Sequence, residues 1–319
     1  MTKARRLDGQ VVANAMREEI RPAAQAFTAA HGRRPGLGIV LVGDDPASHV
    51  YVKHKLKAAE EWGFHADCAR IAETATLDEV LAAVDRLNRS AIHDGILVQA
   101  PLPKTMGKGA TQRVFDAIAV EKDVDGFAAE NVGLLSQNRA TLVACTPAGV
   151  IEMLQREGIR IAGQRAVVLG RSDIVGKPMA LLLLHRDATI TICHSRTPDL
   201  AATCRQADIL VAAIGKPGFV TAEYIKPGAT VVDVGINQVT DPNVAASLYP
   251  AGHIRLANFA SRGTMLVGDV HPSVEEVAGA MTPVPGGVGP LTITMLMKNT
   301  LLAAQARQSR AVKAASTSI

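Results

Sequence analysis

The sequence predicts an α/β protein of two domains, the second a doubly wound parallel sheet of the Rossmann type, with the C-terminal helix returning to the first. Three observations lead there. Short apolar runs alternate with helical patterns along most of the chain. At 319 residues the chain is long enough for two medium domains, each with its own core. A rigid segment, Thr282-Pro283-Val284-Pro285-Gly286-Gly287-Val288-Gly289-Pro290, follows the last predicted strand and leads into an amphipathic pattern carried by Leu291, Met295, Leu296 and Leu302. So many prolines and glycines exclude helix and central strand, yet the segment is apolar, so it is a stiff loop offering main-chain groups at a helix start. A rigid interdomain turn is the plainer reading of the same residues.

In the first third, Gly36 to Val42 reads as a strand ending at the turn Gly43-Asp44-Asp45-Pro46, followed by a helix from Ala47 to Trp62 that Gly63 stops. A strand at His65 to Ile71, a helix at Leu77 to Asn88 and a strand at Gly95 to Gln99 complete this unit. Beyond Cys145, Thr146 is a suitable N-cap with Pro147 at N1, opening a helix to about Arg156. Strands are expected at Arg165 to Leu169, Ala188 to Cys193, Asp208 to Ile214 and Ala229 to Val234, with a helix at Lys177 to His185. The tail after Leu302, with Arg307, Arg310 and Lys313 among Ala, Ser and Gln, reads as a frayed end.

Composition narrows the function. Hydrophobic residues at 48% and charged residues at 20% describe a soluble globular chain, and 3% aromatics imply aliphatic, alanine-rich cores. The net charge of +4 is dispersed, which fits small anionic ligands and no nucleic acid. Cys68, Cys145, Cys193 and Cys204 form no CxxC pair and have no His-rich neighbour, against a structural zinc or a disulfide framework. The start carries no apolar run after Arg5 and Arg6, and the longest apolar stretch, Met179 to Leu184, is too short to span a bilayer, so no membrane partner and a cytoplasmic location are expected.

Gly170-Arg171-Ser172-Asp173-Ile174-Val175-Gly176 lies between a predicted strand and helix, where a dinucleotide pyrophosphate meets helix N–H groups. Ser172 replaces the middle glycine of the usual fingerprint. After the next strand come His194-Ser195-Arg196-Thr197 instead of the acid that holds an NAD ribose. Guanidinium and hydroxyl groups there, with Arg171, favour a 2′-phosphate and therefore NADP. The competing reading is two solvated arginines, and Asp199 lies close enough to matter.

On the helix after Pro46, Ser48, Tyr51 and Lys55 share one face, while Lys53 and Lys57 point away. Tyrosine and lysine one turn apart can hold a planar ligand and move protons, provided burial or cationic neighbours lower the lysine pKa; an ordinary solvated lysine has the same spacing. Gln99 ends a strand. Asp123-Val124-Asp125-Gly126 is either an acid/base or metal pair or a common Asp-Gly turn. Gly215-Lys216-Pro217-Gly218 reads as a plain tight turn.

Together these segments resemble the bifunctional methylenetetrahydrofolate dehydrogenase/cyclohydrolase family. The resemblance runs from Leu37 through the last helix in family order, in VGDDPASHVYVKHKLKAAEEWGF, DGILVQAPLP, KDVDGF, CTPAGV, VVLGRSDIVGKPM, CHSRT, AAIGKPGF, VVDVGIN, VGDV and TPVPGGVGPLT. It implies oxidation of 5,10-methylenetetrahydrofolate with NADP and hydrolysis of the methenyl product to 10-formyltetrahydrofolate, in one-carbon metabolism and purine biosynthesis. Lys55 matches the family's catalytic lysine, Tyr51 the tyrosine on the folate, Gln99 the glutamine orienting the lysine and Asp125 the carboxylate at the pterin edge. Ser48, Gly286, Gly287 and Pro290 fall at folate positions; Gly170, Arg171, Ser172, Ser195, Arg196 and Ile236 fall at cofactor positions. No metal is implied.

The resemblance further implies a folate-binding catalytic domain at 1–145 completed by 287–319, an NADP-binding domain at 146–286 with a cleft between them, and a homodimer. Three departures stand out: Ala100 in place of the usual leucine, a long segment from Gln238 to Val267 in place of a short hairpin, and His271-Pro272 after Gly268-Asp269-Val270. The rival readings are a monofunctional NADP dehydrogenase, a folate-binding module without turnover, and a Rossmann dehydrogenase acting on amino or hydroxy acids.

Overall fold

The computed structural model describes residues 3–317, with side chains to Arg310. Strand β1 (Arg5–Arg6) leads into helix α1 (Gly9–His31), which the sequence reading did not identify. Its buried face is Val12, Ala13, Met16, Ile20, Ala24 and Phe27, at helical spacing. Then come β2 (Gly36–Val42), α2 (Pro46–Glu61), β3 (His65–Ile71), α3 (Leu77–Arg89), β4 (Gly95–Val98), α4 (Ala110–Asp116) and α5 (Ala129–Ser136). The chain continues through α6 (Cys145–Arg156), β5 (Arg165–Leu169), α7 (Gly176–Leu184), β6 (Thr189–Cys193), α8 (Leu200–Cys204), β7 (Ile209–Ala212) and β8 (Thr230–Asp233). It ends with β9 (Asn237–Val239), α9 (Pro242–Leu248), α10 (Ile254–Arg262), β10 (Met265–Val267), β11 (Ala280–Met281) and α11 (Val288–Thr317).

These elements form two compact units, one comprising residues 14–145 and 293–319, the other residues 1–13 and 146–292. The division expected at 1–145, 146–286 and 287–319 therefore differs at the ends. Residues through Ala13 belong with the second sheet, because β1 pairs in parallel with β11. A two-residue strand carries no periodicity, so only its long-range partner reveals it.

The unit containing residues 14–145 is built on a three-stranded sheet in the order β3-β2-β4, all parallel. Every residue of β2 is buried, as a central parallel strand requires. Val40, Val42, Val80, Val84, Ile96, Val98, Val114 and Phe115 form its core on one face. Helix α3 starts with a complete capping box between Thr76 and Glu79. Asp94, fully buried, accepts both guanidinium nitrogens of Arg33 at 2.7 and 2.8 Å, Arg307 at 2.8 Å and the Gly36 amide at 2.9 Å. The expectation of a frayed end after Leu302 is thus overturned at Arg307: the helix runs on to Thr317, held by this carboxylate. Nearby, buried Lys122 donates to the carbonyls of Leu87, Asn88 and Ser90, capping the end of α3, and burial lowers its pKa to about 8.

The other unit carries a six-stranded sheet in the order β1-β11-β8-β7-β5-β6, with every pairing parallel. This is the doubly wound Rossmann arrangement expected from the alternation. Helix α6 begins at Cys145, so Thr146 is not its N-cap; the Thr146 hydroxyl instead lies 2.9 Å from that of Thr292. The segment from Gln238 to Val267 is a small layer of its own. β9 and β10 pair antiparallel, and α9 and α10 cover them around Val239, Ala245, Leu248, Phe259 and Met265. Among the described residues no helix is long and apolar enough to cross a membrane.

Replacing Asp94 with Ala strands two guanidinium groups and a backbone amide, and is expected to cost about 3 kcal/mol. Urea unfolding of the variant measures it; an unchanged midpoint would show that the carboxylate contributes no net stability.

Candidate active site

The α2 helix starts where Asp45 accepts the Ser48 amide at 2.8 Å and Pro46 occupies the first turn. This fixes the helix phase, so Ser48, Val52, Lys55 and Ala59 are buried while Lys53 and Lys57 are exposed. Tyr51 lies beside them, partly exposed. Strand β4 pairs with β2, and the ladder continues one residue further through Gln99 N–H to Val40 O at 2.9 Å. Gln99 is therefore held by main chain and its side chain is turned by its own amide. Nε2 donates to the Ala100 carbonyl at 2.9 Å, leaving Oε1 to accept Lys55 Nζ at 2.9 Å.

Lys55 is only 8% exposed, and burial pulls its pKa below the ordinary lysine value, opposed by the charge of Asp125 and by Cys145. Burial in turn raises Asp125, against the pull of the Lys55 ammonium and a hydrogen bond with Cys145. The same surroundings push the Cys145 thiol well above its usual range. Of the paired aspartates, Asp123 belongs to the turn: it accepts the amides of Gly126 at 3.0 Å and Ala128 at 2.9 Å and Asn131 Nδ2 at 2.9 Å. Asn299 holds the Val124 carbonyl at 2.8 Å and that of Val143 at 2.9 Å. Cys145 and Asn299 were not singled out from sequence; apolar neighbours and helical context hide both.

In the Rossmann unit, β5 is followed by Gly170, whose φ of 130° and close approach to the Ala213 carbonyl leave no room for a side chain. Ser172 fills the place of a glycine by capping: its Oγ accepts the amides of Val175 and Gly176, both at 3.2 Å. Leu169 pairs with Cys193, so the Gly170–Arg171 and His194–Arg196 loops leave neighbouring strands side by side. Arg171, Ser195 and Arg196 are exposed, and among the described residues neither arginine has a side-chain partner, Asp199 included. Ile236 is 46% exposed at the end of the VVDVGI run.

Two carboxylates shape the adjoining loops. Asp233 accepts the amides of Gly235, Asp269 and Val270, each at 2.9 Å, and burial raises it to about 7. Asp269 accepts those of Ile214 at 2.7 Å, Gly215 at 3.0 Å and Lys216 at 2.8 Å. The Gly215–Gly218 turn is thus wrapped around a carboxylate rather than being a plain turn.

The structure therefore gathers Ser48, Tyr51, Lys55, Gln99 and Asp125 in one unit, while Gly170, Arg171, Ser172, Ser195, Arg196, Ile236, Gly286, Gly287 and Pro290 belong to the other. Family models match both. The tetrahydrofolate dehydrogenase/cyclohydrolase catalytic domain matches residues 7–125, and the NAD(P)-binding domain of the same family matches residues 144–308. The chain belongs to the tetrahydrofolate dehydrogenase/cyclohydrolase family.

Its relatives agree. The bifunctional protein FolD of Solibacter usitatus is 55% identical over 302 residues, covering 94% of this chain and 97% of that protein. That of Koribacter versatilis is 51% identical over 306 residues, covering 96% and 98%. A Trypanosoma brucei methylenetetrahydrofolate dehydrogenase-cyclohydrolase, solved with NADP and an inhibitor, superposes with a TM-score of 0.85 at 39% identity, covering 96% of this chain and 99% of that one. As a family member the chain is a bifunctional dehydrogenase and cyclohydrolase that uses NADP and a tetrahydrofolate substrate.

A buried ammonium carries a stability cost that Lys55→Met should relieve. Because the folded-state pKa is lowered, that cost is full below the folded pKa and fades as pH rises towards the ordinary lysine value of 10.5. The variant should therefore melt at or above the parent at neutral pH, with the gap closing towards pH 10. A melting curve lower than the parent's at every pH would mean that Lys55 is a net structural contributor.

Proposed function

We propose that Lys55 is the proton-transfer group for hydrolysis in the oxidation of 5,10-methylenetetrahydrofolate and conversion of the methenyl product to 10-formyltetrahydrofolate. The observation carrying this is the buried Lys55 ammonium, 2.9 Å from Gln99 Oε1 and within electrostatic reach of Asp125. Water adding to the methenyl carbon must lose a proton, and the ring nitrogen must gain one as its C–N bond opens. Desolvation makes the neutral amine accessible, so Lys55 takes the first proton and returns the second. Gln99 keeps the amine in place, Tyr51 offers its ring on the same helix face, Ser48 and Asp125 bind the substrate, and Gly286, Gly287 and Pro290 keep the folate role that the family resemblance implies.

Hydride transfer is between substrate and nicotinamide, and what the protein supplies there is positioning. In the cofactor unit Gly170 and Ser172 shape the loop that meets the pyrophosphate, and Ile236 packs on the cofactor. Arg171, Ser195 and Arg196 take the 2′-phosphate: two unpaired guanidinium groups on adjacent loops, with no acid in place, support that assignment. The working enzyme on this reading is a cytoplasmic homodimer; light scattering of the eluted protein measures the oligomeric state.

Lys55→Met is expected to lower hydrolysis of supplied methenyltetrahydrofolate by about 10²–10⁴, above its spontaneous decay, and methenyl formation with NADP by less. Hydrolysis at the parent rate would remove Lys55 from the mechanism, and equal loss of both activities in a folded variant would make it a positioning group.

The double variant Arg171→Ala with Arg196→Ala should lose about 2–4 kcal/mol of preference for NADP over NAD, read as the ratio of kcat/KM. An unchanged ratio would place the 2′-phosphate elsewhere.

A further inference from the structure

We propose that His65, Asp67 and His93 form a binding site for one divalent transition-metal ion, of the zinc class, that staples the outer strand of the three-stranded sheet. It is separate from the reaction site, and its test does not depend on the catalytic reading above.

The sheet itself assembles the three donors. His65 and Asp67 sit two apart on β3, so their side chains leave the same face. His93 precedes β4, on the far side of the central strand β2. Between them Gly38 of β2 pairs with Asp67, and a side chain there would meet His93 Cδ2 and the Leu87 methyl groups. A glycine in the middle strand therefore leaves the lane through which His93 reaches Asp67.

His93 Nε2 lies 2.9 Å and His65 Nε2 3.4 Å from Asp67 Oδ2, and the three donor atoms all fall within 4.8 Å of one another. A tetrahedral ion with bonds of 2.0–2.2 Å needs donors ~3.3 Å apart, so the widest pair must close by at most ~1.5 Å, a shift shared between two side chains.

The donor set has an unmet demand that a cation supplies. His65 Nε2 is shielded from solvent and has no hydrogen-bond partner. Asp67 Oδ2, 3.4 Å away, already serves His93 at 2.9 Å. One ion would satisfy both rings and the carboxylate together.

His93 is only 6% exposed, and its other nitrogen, Nδ1, lies 2.8 Å from Ser90 Oγ, which fixes the ring with Nε2 aimed at the cluster. Two imidazoles and one carboxylate form a borderline set that suits zinc, cobalt or nickel rather than magnesium or calcium. His65 and Asp67 also border a surface depression of about 430 Å³, shared with Cys68, which leaves further coordination positions to water.

The position defines the role. His65 is the first residue of β3 and His93 precedes β4, whereas Gln99 follows the last residue of β4. The cluster thus lies at the amino ends of strands whose carboxyl ends carry Gln99. An ion there would join β3 to the segment before β4 and stabilise the sheet without touching the chemistry.

The test uses the full-length chain without a histidine tag, stripped by chelator and dialysed against zinc chloride. The parent should bind one equivalent that His65→Gln and Asp67→Asn each lose by ~10-fold or more in affinity. Its melting temperature should rise by several degrees with zinc in excess, and those of the two variants should not. Cys68→Ser should bind as the parent does, while methenyl formation stays the same with and without the ion. Equal zinc binding and equal thermal shifts in parent, His65→Gln and Asp67→Asn would overturn the proposal. So would loss of binding in Cys68→Ser alone. His65 is partly exposed, so its variant is expected to fold; circular dichroism of the metal-free forms verifies this.

Discussion

A lysine ammonium removed from water constrains the structure around it. Lys55 remains buried because Gln99 presents an oxygen to it, and Gln99 can do so only because β4 continues its ladder to Val40 for one residue beyond the strand. That in turn requires β2 and β4 in one register, and α2 started in the phase that Asp45 and Pro46 set. A one-residue slip of β4 would turn Gln99 to the other face and leave the charge unpaired. The same burial that makes the ammonium costly lowers its pKa, so the amine exchanges protons nearer neutrality than a solvated lysine does.

In the Rossmann unit, fixed carboxylates play the corresponding part. Asp233 and Asp269 between them gather six backbone amides from the loops after β7, β8 and β10, and Asp233 holds the start of the very turn that carries Asp269. Beyond the short Val220–Val270 bridge, side-chain acceptors satisfy loop amides that no strand partner reaches. The surface next to the Gly170–Gly176 loop is therefore shaped by buried acids, while Arg171 and Arg196 remain exposed.

Much of this was legible. The β2 and β5 strands are short apolar runs, and the structure places their ends and those of the helices that follow within a residue or two of expectation. Less legible were features whose signal is not local. Helix α1 is alanine-rich and has a proline inside it, which weakens its pattern although its buried stripe is regular. Arg307 looks like a tail charge until Asp94, distant in sequence, is placed beside it. The Asp123–Asp125 pair permitted either a turn or a chemical site, and the fold uses Asp123 in the turn and buries Asp125 within electrostatic reach of Lys55.

By itself the sequence determined the alternation of strand and helix, the face shared by Ser48, Tyr51 and Lys55, the two-domain α/β class and the family, because periodicity and motif order are local properties of a chain. Only the tertiary structure decided that β1 closes the second sheet, that the Gln238–Val267 segment folds around a small core of its own, and that Lys55 is buried against Gln99. Burial and charge pairing are properties of what the chain brings together across long separations, and a solvated lysine and a desolvated one have the same neighbours in sequence.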